Sequence, residues 1–117
     1  MKISEMQQKA WQNSENKGFH TGSENLNIPS KLMLVVSELS EALEEHREPT
    51  VIEGRTFPIW FDGDNNNKPE GIAAELADAV IRIGDLAGII GFDLETAIIE
   101  KMRFNEGRPF MHGGKRI

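Results

Sequence analysis

Between residues 72 and 87 every side chain is aliphatic, alanine or glycine except Glu75, Asp78, Arg82 and Asp85. These four recur at i, i+3, i+7 and i+10, which on an α-helix is one narrow line. The segment predicts a helix buried on nearly every side, with one charged stripe. That stripe must meet solvent, countercharges or a metal, because an ionised carboxylate is costly to bury without a partner. Such a helix needs other helices to cover it.

The remaining sequence supplies them. Ser4 followed by Gln7 reads as a capping box opening a first helix that stops near Gly18. Leu32, Val36, Leu39 and Leu43 form the core-facing stripe of a second helix from Ser30 to about Arg47, ended by Pro49. Pro69 suits the first turn of the third helix, and Gly84, Gly88 and Gly91 near its end allow close helix contact. Asp93 caps a fourth helix, with Ala97, Ile98, Met102 and Phe104 facing inward; Gly107 and Pro109 stop it. Residues 49–70 break the helical period. Within them 51–54 and 57–61 suit short extended pieces, and 62–67 is a polar, turn-rich run. Phe57, Trp60 and Phe61 are expected to pack on the body or on another subunit rather than to form a substrate lid. Asp62 and Asp64 open like a calcium loop, but the glycine and the closing glutamate are misplaced.

A chain of 117 residues with 38% hydrophobic content can build one core but not two, so a single all-α domain over 1–117 is expected. No run approaches the roughly 20 apolar residues of a membrane span, and the opening residues lack a signal-peptide core, which predicts a cytoplasmic protein with no membrane partner. Without cysteine there is no disulfide or thiolate zinc site, and His20, His46 and His112 are too scattered for a zinc cluster. Any metal is then held mainly by oxygen. A net charge of -6 argues against nucleic acid as a partner, although Lys101, Arg103, Arg108, Lys115 and Arg116 gather towards the C-terminus.

Two carboxylate pairs carry the chemical signal: Glu38 with Glu41, and Glu75 with Asp78. Residues three apart on a helix point the same way, and like charges so placed repel unless a cation lies between them. Two facing pairs supply the partial oxygen shell that Mg²⁺ prefers. Spacing alone does not decide the matter, since glutamates decorate helix surfaces everywhere and Asp78 and Asp85 could each pair with Arg82. Lys101, Asn105 and Arg108, at i, i+4 and i+7, add two cations and an amide along one edge, a set suited to phosphate oxygens.

Taken in order, these motifs resemble the MazG-type all-α nucleoside triphosphate pyrophosphohydrolases. The family's E-x-x-E matches Glu38 and Glu41, its E-x-x-D matches Glu75 and Asp78, and its K-x-x-x-N-x-x-R matches Lys101, Asn105 and Arg108. The resemblance covers roughly residues 30 to 110 with the 49–70 loop set aside. It implies a four-helix MazG-like bundle with an irregular insertion between the second and third helices. The implied activity is Mg²⁺-dependent, with Mn²⁺ as a substitute, cleaving a nucleoside triphosphate between its α and β phosphates to the monophosphate and pyrophosphate, for nucleotide-pool housekeeping. The implied metal ligands are Glu38, Glu41, Glu75 and Asp78, with Glu38 or Glu41 as the base. Lys101 and Arg108 would stabilise the developing charge and Asn105 would fix a phosphate or sugar oxygen. A site built between chains implies a homodimer or a dimer of dimers. Trp11, Phe19, His20 and Trp60 are candidates to hold the base, although packing is the more ordinary role for each. The alternative from another class is a non-catalytic helical interaction or regulatory module, which predicts no metal dependence.

Overall fold

The computed structural model describes residues 1–22 and 27–110. Four helices dominate: α1 (Ile3–Asn16), α2 (Ile28–Arg47), α3 (Ile72–Ile90) and α4 (Leu94–Glu106). Between α2 and α3 lie four short strands, β1 (Val51–Ile52), β2 (Arg55–Thr56), β3 (Trp60–Asp62) and β4 (Lys68–Glu70). They pair as two antiparallel hairpins, β1 with β2 and β3 with β4, so the expected irregular insertion is a pair of small sheets. The basic residues Lys115 and Arg116, with His112, lie outside the described residues.

Helix α3 is the axis of the fold, with α1 and α2 both packed against it, while α4 is held chiefly by α1. Close approach is possible because the contact is lined with small residues. Ala10, Ala42, Ala74, Ala79 and Ala87 are buried with Leu86, and among the described residues no large side chain is fully enclosed. A β-carbon at Gly88 would lie 2.5 Å from Trp11 Cδ1, and one at Gly84 2.8 Å from Met6 Sδ, so these two glycines let α1 seat directly on α3. Gly91 serves differently: its φ of +96° ends α3 in the left-handed conformation.

Local signals are only partly those expected. Asn27 caps α2 by accepting from the Ser30 amide at 3.0 Å, with Pro29 in the first turn, so the helix begins before Ser30. Asp93 caps α4, accepting from the Glu95 amide and the Thr96 hydroxyl. The capping box at Ser4 and Gln7 does not form. The Ser4 amide donates to Glu95, and the Gln7 amide group spans the α3–α4 turn, donating to the Phe92 carbonyl at 2.8 Å and accepting from the Leu94 amide at 2.9 Å. Tertiary partners outcompete the local ones. Pro69 is not in α3 but in β4, and α3 starts after Gly71, whose φ of +102° is closed to other residues without strain.

The apolar stripe of α2 does not face the core of this chain. Leu32, Val36, Leu39 and Leu43 are about half exposed, while Glu38 and Ala42 turn inward against α3. On α3, Leu76, Val80 and Ile83 are likewise exposed, as are Met102 and Phe104 on α4; Ala97 and Ile98 are half-buried. Phe57 and Phe61 of the insertion are exposed too, and Trp60 is half-buried. The physical reason is size: three packed helices of this length, closed by alanines, leave no fourth layer within the chain to cover a second apolar face.

Candidate metal centre

Turning Glu38 inward brings it across the α2–α3 contact to the charged stripe of α3. Carboxylate oxygens of Glu38, Glu41 and Glu75 all lie within 4.8 Å of one another, close enough for one cation to touch all three. Asp78, one turn beyond Glu75, is more exposed and stands outside that trio, although its charge interacts with Glu38 and Glu41. Three of the four carboxylates named by the paired motifs thus converge, and the fourth borders them.

The electrostatics record the crowding. Burial, then hydrogen bonding to Glu41 and the charges of Glu41 and Glu38, push the Glu75 carboxyl up to about 7. Asp78 is raised as well, by burial and the Glu38 charge, with Arg82 and Lys68 opposing. Glu38 goes the other way. Burial would raise it, but the hydrogen bond and charge of Arg82, with hydrogen bonds to Glu41 and Glu75, hold it below its ordinary value. The Arg82 Nε donates to Glu38 Oε1 at 2.7 Å. Arg82 therefore pairs across helices with Glu38 rather than along α3 with Asp85.

Asp85 is taken by His20, whose Nε2 lies 2.8 Å from its Oδ1 while Nδ1 lies 2.7 Å from Glu15 Oε2. The Trp11 ring stands 5.1 Å from the imidazole, tilted by 42°. Trp11 and His20 are thus packed into the α1–α3 contact, as the ordinary role for such residues requires. Phe19 is different. It is exposed and, with Ser14, Lys31, Leu34, Ile81 and Arg82, lines a cavity of about 430 Å³ that reaches Glu38, Asp78 and Asp85. A second, open trough beside Glu75 is lined by Glu41, Glu44, Glu45 and Glu48.

Lys101, Asn105 and Arg108 do not join the carboxylates within the chain. Lys101 and Asn105 lie on α4 and Arg108 just past its end, and Lys101 Nζ and Arg108 Cζ stand 5.4 and 5.7 Å from the Phe104 ring centre on an otherwise exposed surface. Neither cavity beside the carboxylates includes them. Among the described residues, Lys31 and Arg82 line the Phe19 cavity, and Lys68, paired with Glu70, acts on Glu75 and Asp78 through its charge. Lys31 could have been read from its two-turn spacing to Glu38, whereas Lys68 depends on a hairpin register that the sequence does not spell out. No family model, curated protein or solved structure matches the chain.

Proposed function

We propose that the chain is a Mg²⁺-dependent nucleoside triphosphate pyrophosphohydrolase of the MazG-like kind, cleaving between the α and β phosphates. The observation that carries this reading is the convergence of Glu38, Glu41 and Glu75 oxygens within 4.8 Å, with Asp78 at their border. Oxygen-only donors suit Mg²⁺ or Mn²⁺, and the rise of Glu75 to about 7 marks a cluster short of positive charge. A bound Mg²⁺ would draw charge from phosphorus and acidify the attacking water. Glu38, Glu41 and Glu75 would hold it, with Asp78 completing the set. Of the two glutamates proposed as base, Glu41 is the freer, because Arg82 occupies Glu38. The Phe19 cavity offers an aromatic face beside the carboxylates for the nucleoside, with Lys31 and Arg82 at hand for its phosphates.

The same reading assigns Lys101, Asn105 and Arg108 to the site of a second copy, in a homodimer or a dimer of dimers. The exposed rows on α2 and α3, Leu32, Val36, Leu39 and Leu43 with Leu76, Val80 and Ile83, are aliphatic, which supports a partner covering them. The test is pyrophosphate release over a panel of ribo- and deoxyribonucleoside triphosphates with Mg²⁺, run beside Glu38→Gln and Asp78→Asn. Turnover surviving both substitutions refutes the site, and no turnover with any substrate favours the non-catalytic module.

A further inference from the structure

Resting on that reading, we infer that the β3–β4 hairpin delivers Lys68 to the pyrophosphate end of the bound nucleotide. The hairpin is fastened to the start of α3 rather than hanging from it. The Pro58 carbonyl accepts from the Ala73 amide at 2.9 Å, and Gly71 lets that carbonyl in so closely that a β-carbon there would lie 2.5 Å from it. Strand β4 packs on α3 and runs into it through Gly71 alone. The five-residue tip is fixed by its own bonds, with Asn65 donating to Asp62 and accepting from Lys68, and with Asn66 and Asn67 both at positive φ.

Lys68 and Glu70, two apart on β4, share one face, and their side chains meet at 3.3 Å. Strand β4 ends one residue before α3, whose first turn carries Glu75, so Lys68 stands at the N-terminal side of the carboxylate cluster, and its charge is felt by Glu75 and Asp78. Direction follows from the helix. Asp85 lies at the other end of the stripe, ten residues or about 15 Å of axis from Glu75, and the Phe19 cavity runs from it past Arg82 to Asp78 and Glu38. A nucleoside seated by Phe19 sends its phosphates past the Glu38–Glu41–Glu75 trio towards the hairpin. There the departing β and γ phosphates meet Lys68 and the positive end of α3. Lys68 exchanges Glu70 for a phosphate oxygen, and no proton or bond changes hands.

The experiment compares wild-type protein, Lys68→Met, Lys68→Gln and Lys68→Arg for turnover and for inhibition by inorganic pyrophosphate and by nucleoside monophosphate. Thermal midpoints verify folding, and Lys68 is exposed enough to be replaced without disturbing the core. Loss of one charge-assisted contact should weaken pyrophosphate inhibition by about ten-fold or more and raise KM similarly in both neutral variants. Monophosphate inhibition should stay as in wild type, and arginine should restore most of the loss. An active wild type whose pyrophosphate inhibition is unchanged by Lys68→Met and Lys68→Gln overturns the role of Lys68 and leaves the hydrolase reading intact. A wild type that turns over no triphosphate overturns both.

Discussion

The raised Glu75 carboxyl makes metal, pH and stability one measurable system. In the unfolded chain Glu75 titrates near its ordinary 4.5; in the folded, metal-free chain it does so at about 7. Between those values the native state keeps a proton that the unfolded state has released, so stability falls as pH rises through the window and levels off above about 7. The full gap corresponds to roughly 3 kcal/mol, and partial exposure of Glu75 screens this to about 1–2 kcal/mol. A cation held by Glu38, Glu41 and Glu75 takes the place of that proton. Mg²⁺ should therefore add little to the thermal midpoint near pH 5 and on the order of 5 °C or more near pH 8. Glu75→Gln should flatten the metal-free profile and remove most of the Mg²⁺ effect. Thermal unfolding by circular dichroism, with and without millimolar Mg²⁺ across this range, reads both. Calorimetry in buffers of different ionisation enthalpy should show proton release on Mg²⁺ binding that declines above about pH 7. A metal-free stability that is level from pH 4.5 to 7, or an Mg²⁺ effect independent of pH, would refute the crowding as the source of the site.

Three other outcomes are expected. Arg82→Met strips the partner from the buried Glu38 carboxylate and should lower stability by about 1–2 kcal/mol in denaturant titrations, with the loss largest above the Glu38 titration and shrinking in acid. Leu39→Glu or Val80→Glu, placed in the exposed aliphatic rows, should shift sedimentation from a multiple of the 13.1 kDa chain towards a single copy; a wild type already monomeric refutes the assembly. Gly88→Ala should cost about 1–3 kcal/mol, because the new methyl lands on Trp11, and a stability equal to wild type would contradict the α1–α3 packing.

Much of this architecture was legible in the residues. Four helices follow from their apolar period and from stops such as Pro49 and Gly107, and three of the four paired carboxylates share one place because three-residue spacing fixes a helix face whatever lies around it. What a period does not tell is which face turns inward. Leu32, Val36, Leu39 and Leu43 were expected in the core, yet Glu38 and Ala42 took that place, because the small residues of α3 accept an alanine face closely while Arg82 neutralises the glutamate. Long-range pairings such as His20 with Asp85, or Gln7 with the α3–α4 turn, carry no local signature. Lys68 belongs to the same class: its place follows from the closure of Gly71 on Pro58.

The clasp formed by Gln7 has a reach well beyond its own size. One side-chain amide in α1 holds both the Phe92 carbonyl in the turn and the Leu94 amide that opens α4, so the bearing on which α4 departs is set at its root. Lys101 and Asn105 ride on that helix, with Arg108 just past its end, like teeth on a key, and whatever they engage is approached at an angle chosen some distance away. Small changes at Gln7 would thus be magnified along the arm, altering alignment at its tip while leaving the three side chains themselves untouched.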